Sequence, residues 1–259
     1  MTNATGMEQD KLAEERASGK ALERFRFGTW EKQDSFKRIN LSKAGLLDEK
    51  DKQILDFGCG PGTYGIILGR KNHVIGVDLA REAVTSARAR AKRESSDFEG
   101  IVMDGDLQGL APNSFDICLS AWALHHFPDI DVPLKQICYA LKPGGKLVII
   151  EPNERSIPQR ISRFFENLSK PVVLASGLDT PNRSTHFTQD YARSMERNGL
   201  HVSEVFSHFN GEKPVLPDDI LGLEEVMLGV AIRARQVLFE ISGVLGAGAE
   251  LFIVARKAG

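Results

Sequence analysis

Apolar and polar positions along the chain fall into blocks that predict strands separated by helices. Short, nearly continuous apolar runs stand at Ile54–Leu55, His73–Asp78, Glu99–Met103, Ser114–Ser120, Lys146–Glu151, Leu200–Phe209 and Glu250–Arg256. Runs of this length, rich in Val and Ile and bounded by Gly, Asp or Pro, read as buried strands. Helical periodicity lies between them at Thr63–Gly69, Leu79–Glu94, Asp131–Leu141 and Phe187–Asn198. Strand and helix in alternation need crossover connections, so the fold class is α/β with a Rossmann-like parallel sheet and helices on both faces. The glycines of Lys142-Pro143-Gly144-Gly145 are expected to stop the preceding helix and turn the chain into the fifth strand.

Two segments depart from this rhythm. Ahead of the first strand, residues 1–9 read as disordered. Asp10 to about Gly45 reads as helical, with Leu12, Leu22, Phe25, Phe27, Trp30, Phe36 and Ile39 as apolar positions. These aromatics either cap a site or staple the N-terminal helices to the sheet. The division is thus a tail and helical cap over residues 1–48 and one domain over 49–259, with inserts at 152–186 and 211–248. The first insert carries Pro152, Pro158, Pro171 and Pro181 and reads as a mobile helical insert. In the second, Pro217–Leu245 reads as a helix more apolar than one buried stripe requires. It would cover a hydrophobic substrate pocket, a homodimer contact, a transient membrane contact or simply more core.

Candidate chemistry gathers where strands end. The first strand closes in Asp56 and runs into Gly58, Gly60, Gly62 and Gly65, a strand–glycine turn–helix signature of a nucleotide-cofactor site. Gly60-x-Gly62-x-x-Gly65 also satisfies the dinucleotide pattern, so the glycines alone leave the cofactor open. The second strand ends in Asp78, the third in Asp104 and the fourth in Ser120. In open α/β sheets ligands bind beyond such carboxyl ends. Three neighbouring acids suit a ligand with a ribose, a donor-rich base and a cation. A pyrophosphate would be repelled by Asp56, whereas a sulfonium would not, which favours S-adenosylmethionine (SAM) over NAD.

Composition narrows the classes. Net charge is −2, with 42% hydrophobic and 26% charged residues, so nothing global recommends nucleic acid as a partner. Cys59, Cys118 and Cys138 lack metal-ligand spacing, which points to reduced thiols in a cytoplasmic protein and to no metal. No stretch is apolar enough for stable membrane insertion.

ILDFGCGPG, VIGVDLA, DGDLQGLAPNSFDICLS, ALHHF and LKPGGKLVIIEPN, in this order and spacing, resemble the motifs of class I SAM-dependent methyltransferases, in the type-11-like small-molecule group. The resemblance covers roughly Gln53–Asn153 and extends weakly to about residue 205. It implies a seven-stranded, mostly parallel sheet whose last strand is antiparallel. It also implies that Asp56, Gly58, Cys59, Gly60 and Gly62 line the methionine and ribose part of the cofactor. Asp78 would hold the ribose hydroxyls and Leu79 pack on the adenine. Asp104 and Gly105 would read the adenine edge, with the Ser120/Ala121 backbone at the methionine end. The family's Leu-Pro-Phe segment is replaced here by Gln108-Gly109-Leu110.

Methyl transfer to a small, hydrophobic acceptor at oxygen or carbon is the expected activity. His125 and His126, just after the fourth strand, are the candidate bases. A structural turn accounts for either His as well. His186 reads as a surface-loop residue and Glu151 as a hydrogen-bonded structural carboxylate. Ser-Ala-Trp-Ala stands where amino-methylating relatives carry Asn/Asp-Pro-Pro-Tyr/Phe, which disfavours DNA bases as acceptors. The alternatives are an NAD(P)-dependent oxidoreductase using the same glycines, against which the missing Tyr-x-x-x-Lys pair counts, and a non-catalytic SAM-binding subunit.

Overall fold

The computed structural model describes residues 30–104, 109–153, 184, 186–208 and 250–259. Its elements are α1 (Trp30–Lys43), β1 (Gln53–Phe57), α2 (Gly65–Leu68), β2 (His73–Asp78), α3 (Arg81–Arg93) and β3 (Phe98–Val102). They continue with β4 (Phe115–Ala121), a 3-10 turn at Leu124–His126, α4 (Asp131–Ala140), β5 (Leu141–Pro152), α5 (Thr188–Arg197), β6 (Leu200–His208) and β7 (Glu250–Lys257). The strands form one seven-stranded sheet in the order β3-β2-β1-β4-β5-β7-β6. Pairings among the first five strands are parallel, and β7 runs antiparallel to both β5 and β6. The expected α/β class and antiparallel last strand are thus present.

Period-two alternation sends successive side chains to two separate cores. On β5, Leu147 and Ile149 join one core, while Val148 and Ile150 join the other. The second core takes Leu41 of α1, Ile66 of α2 and Ala87 and Ala91 of α3. The first takes Leu134 and Ile137 of α4 and Tyr191 and Met195 of α5. The helices following β1 and β4 therefore lie on opposite faces, and the sheet's switch point falls between those two strands. A crevice opens there at the carboxyl ends.

The Lys142–Gly145 segment differs from expectation. Instead of a plain turn, extended backbone begins already at Leu141, opposite Phe115, and the ladder resumes with Ile117 opposite Lys146. Residues 142–145 stand against Asp116 alone, an excess of three residues on β5. Gly144 absorbs it with φ +74°, and Lys142 Nζ donates to Asp116 Oδ1 at 2.7 Å. A glycine-rich run thus makes a β-irregularity inside one strand. The predicted third strand is found one residue earlier. The helical segment expected from Asp10 is described only from Trp30 onward. The helix over 217–245, which motivated the homodimer, membrane and pocket expectations, lies outside the described residues, as does nearly all of the 152–186 insert. Among the described residues no helix is long and apolar enough to cross a membrane, and no group of three or more His, Cys, Asp or Glu could hold a metal ion.

Candidate cofactor and acceptor site

β1 ends at Phe57, opposite Val77 and Ser120 of its neighbours, and the chain then turns sharply. Gly58, Gly60 and Gly62 have φ of +69°, +49° and +75°, a left-handed conformation that side chains other than glycine resist. The N–H groups of Gly58 and Cys59 both donate to the Val77 carbonyl, which ties the loop to the end of β2. Yet the three glycines face different surroundings. A Cβ on Gly58 would stand 2.3 Å from the Cβ of Ala123, and one on Gly62 would meet Ile66 and Ala87 at 2.9 and 3.0 Å. At Gly60 nothing lies within 4 Å. Gly60 is where the loop offers a ligand bare backbone and room.

Asp78 stands beside that opening. Its Oδ2 accepts the Gly60 N–H at 2.8 Å and its Oδ1 the Ala80 N–H at 2.9 Å. Half-buried Leu79 follows directly. Val102 pairs with Asp78, so half-buried Asp104 lies just beyond the adjacent strand end, while Gly105 is outside the described residues. β4 brings Ser120 and Ala121 to the other side of the crevice. Ser120 is fully buried and its Oγ has no hydrogen-bond partner among the described residues.

Two expected ligand contacts are placed differently. The Asp56 side chain is 2% exposed and its Oδ2 accepts the Gly65 N–H at 3.0 Å. Burial, reinforced by the charge of Asp78 and opposed by the Gly65 bond, raises its pKa to about 7. Asp56 is thus a carboxyl that supports the loop from within, and it is partly protonated near neutrality. Its charge is therefore a poor argument against pyrophosphate. Cys59 also turns inward, with its Sγ 3.0 Å from where a Cβ on Gly76 would sit. Burial pushes its thiol well up, so only its backbone is left for a ligand.

On the acceptor side, the chain leaves β4 through Trp122, a non-glycine residue at φ +57°. Such strain persists only where surroundings over-determine it. Here the Trp122 N–H donates to the Ile150 carbonyl and the indole Nε1 to Glu250 Oε1 at 3.0 Å. Glu250 Oε2 accepts from Asn40 Nδ2 at 3.0 Å, and the same amide reaches the Tyr64 hydroxyl at 2.8 Å. This buried network joins α1, the cofactor loop, the exit of β4 and the start of β7. Sequence reasoning missed all four residues. Their only signal was an acid opening the last strand.

His125 is buried and its Nδ1 lies 2.6 Å from Glu151 Oε2. The His126 ring is centred 4.0 Å from it. Glu151 is hydrogen-bonded, as expected. His186 is not a plain surface-loop residue, because its Nε2 meets the Phe127 carbonyl at 2.7 Å and its ring packs on Tyr191.

A family model for the methyltransferase domain matches residues 48–199. A demethylmenaquinone methyltransferase of Lactococcus lactis is 30% identical over 146 residues, covering 52% of this chain and 58% of that protein. A protein of Aspergillus luteorubrus described as methyltransferase ltbC is 38% identical over 183 residues, covering 63% of this chain and 64% of its own. The matches thus span less than two thirds of these relatives' lengths. Among solved structures, a Haloferax volcanii protein in complex with the Trm112 methyltransferase activator gives a TM-score of 0.63 at 18% identity. That match covers 90% of this chain and 95% of the other, and it speaks for the fold. The family match takes in more than half of the chain, including the glycine loop, Asp78, Asp104 and the exit of β4. The chain belongs to the class I SAM-dependent methyltransferase family.

Proposed function

We propose that the protein transfers a methyl group from SAM to a small, hydrophobic acceptor, at oxygen or carbon. The observation that carries the cofactor assignment is Gly60, with open space where a Cβ would be and its N–H held by Asp78. The residues present fit SAM. Asp78 can accept the ribose hydroxyl protons, Leu79 can lie against the adenine, and Asp104 with Gly105 can read the adenine edge. The Ser120/Ala121 backbone, at the end of β4, would face the methionine end.

When bound, SAM supplies a methyl group on a sulfonium, already activated for displacement. The protein's own tasks are then alignment, exclusion of water and removal of a proton where the acceptor carries one. His125 is the proposed base, with the His126 ring tilted against it. A hydrophobic acceptor is supported by the relative named for demethylmenaquinone.

The acceptor class is tested by incubating the protein with SAM and a panel of apolar hydroquinones, phenols and primary amines. S-adenosylhomocysteine release is the readout. Release with the hydroquinones or phenols is expected. Release with the amines alone would contradict the proposal.

A further inference from the structure

The amino ends of β1, β4 and β5 lie at the edge of the sheet opposite the cofactor crevice. A pocket of about 240 Å³ opens there, between the turn leading into β1 and the excess residues of β5. Lys52, Lys142, Lys146 and Arg256 line it, against two acids, Glu49 and Asp116. Both acids are already committed. Asp116 accepts from Lys142 Nζ at 2.7 Å and from the Gln53 N–H at 2.9 Å. Glu49 stands 4.0 Å from Lys146. Among the described residues, neither Lys52 nor Arg256 has an acid within ion-pair distance, and Lys52 acts on Asp116 only from farther away. The pocket therefore carries two more cations than acids.

The fold brings these charges together against their repulsion. Lys146 of β5 lies directly opposite Arg256 of β7 in the antiparallel ladder. Val148 and Val254, two residues along from each, share one core, so both cations stand on that same face. Like charges directly opposite destabilise a strand pair. Lys146 is also enclosed, with a side chain 14% exposed, and its Nζ donates to the carbonyls of Ala44 and Gly45 at 3.2 and 3.1 Å. Burial lowers its pKa; Glu49 opposes that shift, Arg256 adds to it and Glu204 opposes it. The Arg256 guanidinium reaches the Gly144 carbonyl at 3.3 Å, which uses one of its five donors. At Gly144 nothing lies within 4 Å of a Cβ position, so the mouth of the pocket is open.

We infer that this pocket is a second binding site, which takes a compact dianion of the phosphate or phosphate-monoester class. Two negative charges on one small group match the two surplus cations. An anion between Lys146 and Arg256 converts their mutual repulsion into a shared attraction. The guanidinium fork suits two oxygens of one phosphoryl group, and the ammonium groups supply point charges around it.

Titration with sodium phosphate at about pH 8, where phosphate is a dianion, tests this by backbone amide NMR. Sodium chloride at equal ionic strength is the control. The amides of Glu49, Lys52, Gly144, Gly145 and Lys146 are expected to shift saturably with phosphate and not with chloride. Lys52→Gln removes no side-chain hydrogen bond among the described residues, so the variant is expected to fold. It should weaken phosphate binding by about tenfold, the weight of one charge-assisted hydrogen bond. Arg256→Gln should weaken it at least as much. Glycerol 3-phosphate separates the two sources of the anion: tighter binding than inorganic phosphate assigns the site to a phosphorylated metabolite, and weaker binding to free phosphate. Equal shifts with chloride would reduce the pocket to general charge screening and overturn the inference. Shifts confined to the glycine loop at 58–62, or phosphate affinity unchanged in both variants, would overturn it as well.

Discussion

Asp78→Ala is expected to lower SAM affinity by at least about 100-fold, which is about 3 kcal/mol. Two effects add. A carboxylate accepting ribose hydroxyls makes charge-assisted hydrogen bonds worth about 1.5–3 kcal/mol each. In addition, the Asp78 oxygens hold the N–H groups of Gly60 and Ala80, so the truncated loop loses its brace at the point where the ligand lies. Asp78→Asn should be nearly as damaging. Its single carbonyl oxygen can accept from only one of those N–H groups, and its NH2 then faces the other. Calorimetric titration of both variants measures this, and an affinity close to wild type in Asp78→Ala would remove Asp78 from the site.

Substitution of two glycines in the same loop should give opposite outcomes. In Gly58→Ala the new methyl would lie 2.3 Å from the Ala123 Cβ, at φ +69°. A left-handed alanine costs about 1–2 kcal/mol and overpacking adds about 1–3 kcal/mol. A stability loss of about 2–5 kcal/mol is therefore expected, visible as a lowered thermal midpoint without any ligand. Gly60→Ala has φ +49° and no atom within 4 Å of its methyl, so only the conformational term applies. Its methyl does, however, project into the space assigned to the cofactor. Stability should drop little and SAM binding should be lost. A Gly60→Ala protein that binds SAM normally would show that the open side of the loop is not the ligand side.

What the sequence could and could not reveal follows from range. Strands such as HVIGVD and KLVIIE are legible because parallel strands buried on both faces need unbroken apolar runs, and the Asp residues that close them mark the crevice. Which loop side chains face that crevice is another matter. Cys59 and Gly62 sit among ligand-facing backbone, yet their Cβ positions point into the core, and no periodicity survives in a turn to say so. Asp56 looks like a charge at the loop's mouth until its bond to Gly65 and its burial are known. The Asn40–Glu250 and Trp122–Glu250 bonds join residues 210 and 128 positions apart, and no local pattern carries such information. The His125–Glu151 pair was half legible. Both residues stood out singly, but only the register of β4 against β5 brings them together.

The central claim is that the glycine loop, Asp78 and Asp104 seat SAM. Isothermal titration of the wild-type protein with SAM, S-adenosylhomocysteine and NADH tests it most directly. Saturable binding of the first two and none of the third is the predicted result, and binding of NADH with no heat from either adenosyl ligand would contradict it.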